Sequence, residues 1–279
     1  MLSIFAVPKP FVGHDSVTQT NAIRSWKQLG PTCQVILCGN EQGSREVAEA
    51  AGVELIEDVA VNDLGTPILS SVFEVAQQRA AFPLVCYVNA DIILLPDFLS
   101  AVHTVARMKP RSLVVGQRWD LDVIEQLTFG DDWVEELAGR VSREGVLHPP
   151  WGSDFFVFPR GLVGRLPDFA VGRPAWDNWM IYHARNRRIP VIDVTGVTTV
   201  VHQNHGYTHV RAGTGPAWEG VEAERNRALV GGAGKVFTLA DATHRLTSGG
   251  LVRVEAPKRR ARKSDRARAR TAGRVRRSR

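Results

Sequence analysis

The sequence predicts an α/β protein: an open, mostly parallel sheet flanked by helices, then a C-terminal helical extension and a disordered basic tail. Three observations carry this prediction. Short apolar runs alternate with amphipathic segments through the first 116 residues, the pattern of strands joined by helical crossovers. Apolar residues make up 44% of the chain and there are seven tryptophans, enough to bury a sizeable core. The basic charge is confined to one end. Pro257 to Arg279 holds 12 Lys or Arg against one Asp, a net +11; the whole chain is +6, so the preceding residues carry −5. Such a run resists folding and attracts anionic partners, nucleic acid or lipid, weakly and without sequence preference. A purely solubilising tail has the same composition.

The elements follow in order. SIFAV reads as the first strand. DSVTQTNAIRSWKQLG is a helix with Ile23, Trp26 and Leu29 along one face and Gly30-Pro31 as its stop. QVILCG is the second strand, SREVAEAAG a short helix and VELIEDV the third strand. In GTPILSSVFEVAQQRA, Thr66 suits a helix cap and Pro67 the first helical position. PLVCYV, PDFLSAVHTVARM and SLVVGQ continue as strand, helix and strand. After Gly116 the chain turns polar and aromatic, with a helix around Asp132 to Arg143. FFVFPRGLVGRLPDF, a helix from about Trp176 to Arg188 and IPVIDVTGVTTVVH complete the core. Beyond Arg211 one helix stands out, PAWEGVEAERNRALV. This divides the chain into a domain at 1–210, an extension at 211–256 and the tail at 257–279. No internal repeat is present.

Cys33, Cys38 and Cys86 lie in apolar, strand-like surroundings and read as small buried hydrophobes in a reducing compartment. No stretch is long and apolar enough to span a membrane, and MLSIFAVPKPF has neither a basic start nor a small-residue cleavage site. The expectation is a cytoplasmic protein, with the tail able to bring it to the inner membrane surface.

One short passage points to chemistry. In YVNADIILLPDF an apolar run stops at Asn89-Ala90-Asp91 and resumes as IILL. A carboxylate is rarely fully buried unless paired or bound to a metal. In open sheets of this kind, ligands sit beyond the carboxyl ends of the strands, where Asn89 and Asp91 would lie. Two apart on an extended chain, they face the same side. The bland reading is a strand-end turn acid. Asp177 opens a helix, where backbone N–H groups favour an ionised carboxylate; an ordinary helix cap is the competing reading. His202 ends an apolar run as Asp91 does. GGAGKV, at Gly231 to Val236, fails as a phosphate loop, because Lys235 is followed by Val and no glycine stands five residues before Gly234.

Four fragments resemble, in order, the GT-A glycosyltransferases that use nucleotide sugars, family 2-like members in particular, across about residues 3 to 209. They are NDLGTPILSSVFEVAQQRAAFPLVCYVNADIIL, WGSDFFVFPRGLVGRLPDF, GRPAWDNWMIYHA and VVHQNHGYTH. The resemblance implies a GT-A-like, Rossmann-type sheet and a metal-dependent, inverting transferase. It would move a sugar from a nucleotide-sugar donor to a hydroxyl of a glycan, lipid or small molecule. It implies Mn²⁺ or Mg²⁺ held by Asp91 and His202, hard oxygen donors suiting either ion and imidazole suiting Mn²⁺. Asn89 stands where that family has Asp, and is assigned to ribose or bound water. Asp177 is the expected base and Trp176 a sugar-stacking ring. Asp154 is expected to hold acceptor or donor hydroxyls beside Trp151 and Gly152. Arg118 with Asp120 and Asp122, a literal DxD, falls where donor-sugar or acceptor contacts are expected. Pro8, Lys9, Asn62, Gly65 and Thr66 are expected near the nucleotide, and His205, Tyr207 and His209 near phosphate or acceptor. The competing readings are a sugar nucleotidyltransferase and a non-catalytic binder that carries the tail to an anionic partner.

Overall fold

The structure, a computed structural model, describes residues 1–204 and 218–254. His205, Tyr207, His209 and the basic tail lie outside the described residues. The elements run β1 (Leu2–Ala6), α1 (Gly13–Gln28), β2 (Cys33–Cys38), α2 (Ser44–Ala51), β3 (Glu54–Ile56), α3 (Leu69–Arg79), β4 (Leu84–Val88) and β5 (Ile92–Leu94). They continue with α4 (Pro96–Met108), β6 (Leu113–Val115), β7 (Trp119–Leu121), α5 (Trp133–Glu144), β8 (Val146–Leu147), β9 (Phe155–Pro159) and α6 (Trp176–Asn186). Last come β10 (Val191–Asp193), β11 (Val200–Gln203), α7 (Val221–Val230), β12 (His244–Thr247) and β13 (Gly250–Arg253).

Nine strands form the main sheet in the order β13-β12-β10-β6-β9-β4-β1-β2-β3. It is parallel except for β9 and the edge strand β13. The apolar faces pack into two layers. One joins α3 and α6 around Phe73, Tyr87, Phe156 and Trp176, and the other joins α1 and α4 around Trp26, Phe98 and Phe155. Each such aromatic truncated to alanine costs about 3–5 kcal/mol, so these contacts decide the layer order.

A second, four-stranded sheet, β5-β11-β7-β8, stands beside the first. The two sheets explain the broken apolar run at Asn89. β4 belongs to one sheet and β5 to the other, and Asn89-Ala90-Asp91 is the crossing between them, closed by an Ile92 N–H to Asn89 O bond of 3.2 Å. α1 holds the crossing in place with the polar side of a helix that is buried on more than one face. Trp26 Nε1 donates to Ile92 O at 2.8 Å, and Ser25 Oγ accepts the Leu94 N–H at 3.1 Å. Thr18, Asn21 and Ser25 are fully buried there and each has a partner: Thr18 Oγ1 donates to Asp15 O within the helix, while Asn21 and Ser25 bond to Gln203 and Leu94.

Some boundaries differ from the sequence-based expectation. α3 begins at Leu69, not at Pro67 with Thr66 as its cap. Thr66 and Pro67 instead close a turn built on Asn62, whose side-chain oxygen accepts the N–H groups of Leu64 and Thr66 at 2.9 and 3.0 Å. The competing local bond wins over the helix cap. The C-terminal stretch contributes a helix, α7, and also the hairpin β12–β13, which extends the main sheet through β10. It is therefore part of the sheet and not a purely helical appendage. The alternation and the Ser-Gly-Gly turn in HRLTSGGLVRV are the signal for that hairpin.

Candidate active site

β11 lies between β5 and β7, and its register brings His202 opposite Ile92 on one side and Asp120 on the other. Three segments of the chain therefore meet at one end of the small sheet. His202 Nε2 is 3.8 Å from Asp91 Oδ2, and His202 Nδ1 is 3.2 Å from Asp120 Oδ1. His202 is 6% exposed. Gln203 fixes the backbone beneath, its Nε2 donating to Asp91 O at 3.0 Å and Thr18 O at 2.7 Å.

Asp120 belongs to this cluster. The expectation that it sits one step away, among sugar contacts, gives way to the β7–β11 register. Asp120 accepts from Arg118 Nε at 2.8 Å and lies 2.7 Å from His148 Nδ1. Burial pushes its carboxyl pKa up, but hydrogen bonds from His202, Arg118 and His148 and the guanidinium charge outweigh that and hold it well below the usual range. Asp122 does not join. β7 ends at Leu121, so Asp122 is exposed past the strand end and accepts from Asn204 Nδ2 at 2.8 Å.

Asp154, at the start of β9, is 6% exposed and fully engaged. Arg118 Nη1 reaches both carboxylate oxygens at 2.6 Å, and Asn89 Nδ2 donates to Oδ1 at 2.8 Å. The Asn89 N–H also bonds to Asp154 O at 2.9 Å. This corrects two expectations. Asn89 locks β4 to β9 rather than facing a ribose, and the Asp154 carboxylate is spent on that lock rather than open to a hydroxyl. An acid at 89 would face the Asp154 oxygen as a like charge, which is the physical reason for the amide. Arg118, drawn up by the Asp154 carboxylate against the effect of burial, stays charged.

Asp177 lies in the first turn of α6. Ala175 precedes that helix at φ 78°, a left-handed conformation that costs an alanine about 1 kcal/mol or more. The carboxyl of Asp177 accepts the backbone N–H groups of Asn178 and Ser153, yet burial and then the nearby Asp154 charge push its pKa up to about 6. Tyr87 is 2% exposed. Burial, and then the carboxylates of Asp91, Asp154 and Asp177, hold its phenol far above its ordinary range.

Trp176 is 6% exposed and packs edge-on to Tyr87 at 5.0 Å and against Phe156 at 5.4 Å. Its faces are used by the core, so the stacking role expected of it is withdrawn. Trp151 is 62% exposed. Gly152 is needed for a neighbour rather than a ligand: a Cβ there would meet His148 Nε2 at 3.1 Å. Just beyond β1, Pro8 is buried and Lys9 exposed, the Lys9 backbone tied to Gln19 at 2.6 and 3.0 Å. Asn62, Gly65 and Thr66 form a turn of their own, and Glu222 on α7 anchors it. Glu222 accepts from Asn62 Nδ2 at 2.6 Å and Arg173 Nε at 2.8 Å.

His148, Gln203, Gln117 and Glu222 escaped the sequence reading. Gln117 Nε2 donates to His148 O at 2.6 Å. None of the four sits in a recognisable spacing, and only strand register or a distant helix brings them in.

No family profile matches the chain, and no curated protein matches it in sequence. The chain is similar in structure to S. aureus TarS 1–349 in complex with UDP-GlcNAc, with TM-score 0.51 and 12% identity, over 82% of this chain and 64% of that one. Glucosyl-3-phosphoglycerate synthase from Mycobacterium tuberculosis, in complex with Mg²⁺ and UDP, gives TM-score 0.48 and 14% identity over 82% of this chain and 78% of that one. The fold shared with TarS, an open and largely parallel sheet flanked by helices, is the GT-A type that the sequence resembles.

Proposed function

We propose that the chain is a glycosyltransferase that takes its sugar from a nucleotide-sugar donor and inverts the anomeric carbon. The observation that carries this is the meeting of Asp91, Asp120 and His202 at strand ends; Asp177 is tied to this region through its neighbour Asn178, which bonds to Trp151 O three residues before Asp154. The shared fold with a UDP-GlcNAc-bound structure supports the donor class.

Charge decides what the cluster needs. Asp91, Asp120 and Asp154 against Arg118 leave −2 with neutral imidazoles, a field that repels a diphosphate. The donor set fits a divalent cation. Among the described residues no group of three or more His, Cys, Asp or Glu is arranged to hold a metal ion. Asp91 and His202 would therefore supply two positions, leaving others to solvent and diphosphate, as Mg²⁺ commonly binds. When bound, such an ion supplies charge neutralisation for the departing diphosphate.

The remaining steps belong to this chain's own residues. Asp120 orients His202 through Nδ1 so that Nε2 faces Asp91. Asp177 takes the proton of the acceptor hydroxyl while that oxygen bonds to the anomeric carbon. The bond from this carbon to the diphosphate oxygen breaks, its electron pair leaving with the nucleoside diphosphate. A base with a pKa near the operating pH suits this transfer. The Pro257–Arg279 run adds a weak attraction to anionic surfaces, consistent with a cytoplasmic protein at the inner membrane surface.

The test is a thermal-shift panel of nucleotide sugars with Mn²⁺, followed by transfer assays with Asp177→Asn. A true donor raises the melting temperature; the variant keeps that shift and loses transfer. Transfer retained by the variant rules out Asp177 as the base.

A further inference from the structure

We infer that Trp151 is a fixed platform for the acceptor, and that the acceptor is a ring-form carbohydrate that lays an apolar face on it. The inference rests on the transferase reading and names the substrate class that this reading leaves open.

Two facts about the Pro150–Asp154 stretch are in tension. Its backbone is held at Pro150, Trp151 and Asp154. Pro150 O accepts the Leu239 N–H at 3.0 Å, and Trp151 O accepts Asn178 Nδ2 at 2.9 Å. Gly152 lies against His148, Ser153 N–H bonds to the Asp177 carboxyl, and Asp154 is bound by Arg118 and Asn89. Yet the one large side chain on it, Trp151, is 62% exposed, while Trp26, Trp176 and Trp179 are 0%, 6% and 8% exposed. Core packing accounts for those three indoles and not for Trp151.

Position then selects the ligand. Asn178, which holds Trp151, is the residue after Asp177, and Ser153, two after Trp151, bonds to Asp177 itself. A hydroxyl delivered to Asp177 therefore arrives beside the segment that carries Trp151. An indole offers a flat apolar face with an electron-rich surface, which matches the C–H face of a pyranose; an acyclic polyol presents no such face. A ring mounted on an immobile backbone binds without a large ordering cost. The donor diphosphate is assigned to Asp91 and His202.

The experiment uses the full chain, wild type, Trp151→Phe and Trp151→Ala. Binding of methyl glucoside, methyl galactoside and cellobiose is followed by saturation-transfer NMR with UDP and Mn²⁺ present, with glycerol and ribitol as acyclic controls. Transfer to the same compounds is measured in parallel. We expect wild type to bind the cyclic compounds and not the polyols. Trp151→Ala should weaken that binding at least tenfold, Trp151→Phe should retain part of it, and UDP affinity should stay within twofold. Where turnover occurs, the change should fall on the acceptor KM rather than on kcat. Equal binding of polyols and cyclic compounds, unaltered glycoside binding in Trp151→Ala, or no glycoside binding by wild type overturns the inference. Lost UDP binding in Trp151→Ala also overturns it, by moving the ring to the donor. Trp151-dependent glycoside binding without transfer from any donor upholds the platform and sinks the transferase reading instead.

Discussion

His202 on β11 lies directly across from Asp120 on β7, with Nδ1 3.2 Å from the Asp120 carboxylate, and this pairing turns its Nε2 toward Asp91. Asp120 thereby becomes the orienting partner of a candidate metal ligand. It also collects His148 and Arg118, so a single carboxylate organises two imidazoles and a guanidinium.

Asp91→Ala should abolish Mn²⁺-dependent UDP binding. Asp120→Ala, which keeps both proposed ligands but frees His202 to turn, should weaken it by about 10–100-fold, the usual effect of removing an orienting partner. Titration calorimetry with UDP, with and without Mn²⁺, measures both. Full-strength binding by Asp120→Ala would separate Asp120 from the site's working parts.

Asn89→Asp restores a DxD spacing and should nevertheless harm the protein. The new carboxylate would stand where the amide now donates to Asp154 at 2.8 Å. Loss of that bond and like-charge repulsion should cost about 1–3 kcal/mol at neutral pH. The deficit should shrink as the pH falls toward 4–5, where one of the two acids protonates. Urea denaturation of both proteins at pH 7.5 and 5 reads this directly.

Asp177 supplies a pH signature. Its folded-state pKa of about 6 lies above the unfolded value of 3.8. The folded protein therefore holds an extra proton between those values, and loses stability as the pH rises through that window. Asp177→Asn should remove this slope and be more stable than wild type above pH 6, by about 1–3 kcal/mol. Wild-type transfer should rise with pH to a plateau, with an apparent pKa near 6. Flat activity from pH 5 to 8 would exclude Asp177 as the base.

Glu222→Ala tests the tie between α7 and the Asn62 turn. Glu222 is buried, its side chain 8% exposed, and pairs with the half-buried Arg173. Its removal leaves that guanidinium without its carboxylate, for a loss of about 2–3 kcal/mol. The Asn62 turn loses its anchor at the same time. Melting temperature should fall, and Glu222→Gln, whose single amide oxygen can accept from only one of the two partners, should recover part of it. A variant as stable as wild type would show that the tie contributes nothing.

Much of this was legible in the chain itself. The apolar runs predicted β1, β2, β4, β6 and β9, because a strand buried on both faces must be continuously apolar. The break at Asn89-Ala90-Asp91 marked the right place for a different reason than a simple strand end: two sheets part there. Trp176 was misread because an aromatic beside an acid looks the same in sequence whether its ring faces a ligand or Tyr87. Asp120 was assigned to sugar contacts because the resemblance puts it one strand beyond Asp91, and β7, three residues long, is too short to show a period that would place it otherwise.

The amino-acid order alone determined the alternating architecture, the strand end that bears Asp91, the helix start that bears Asp177 and the separation of charge into one terminal run. These are local properties, set by periodicity, capping and composition within a few residues. Only the tertiary structure decided that Asp120, Arg118, His148 and Asp154 join them, that Asn89 serves a lock, and that Glu222 reaches back to Asn62. Those meetings depend on strand register and helix docking between segments far apart in the chain, and no local pattern encodes which distant partners will come within hydrogen-bond reach.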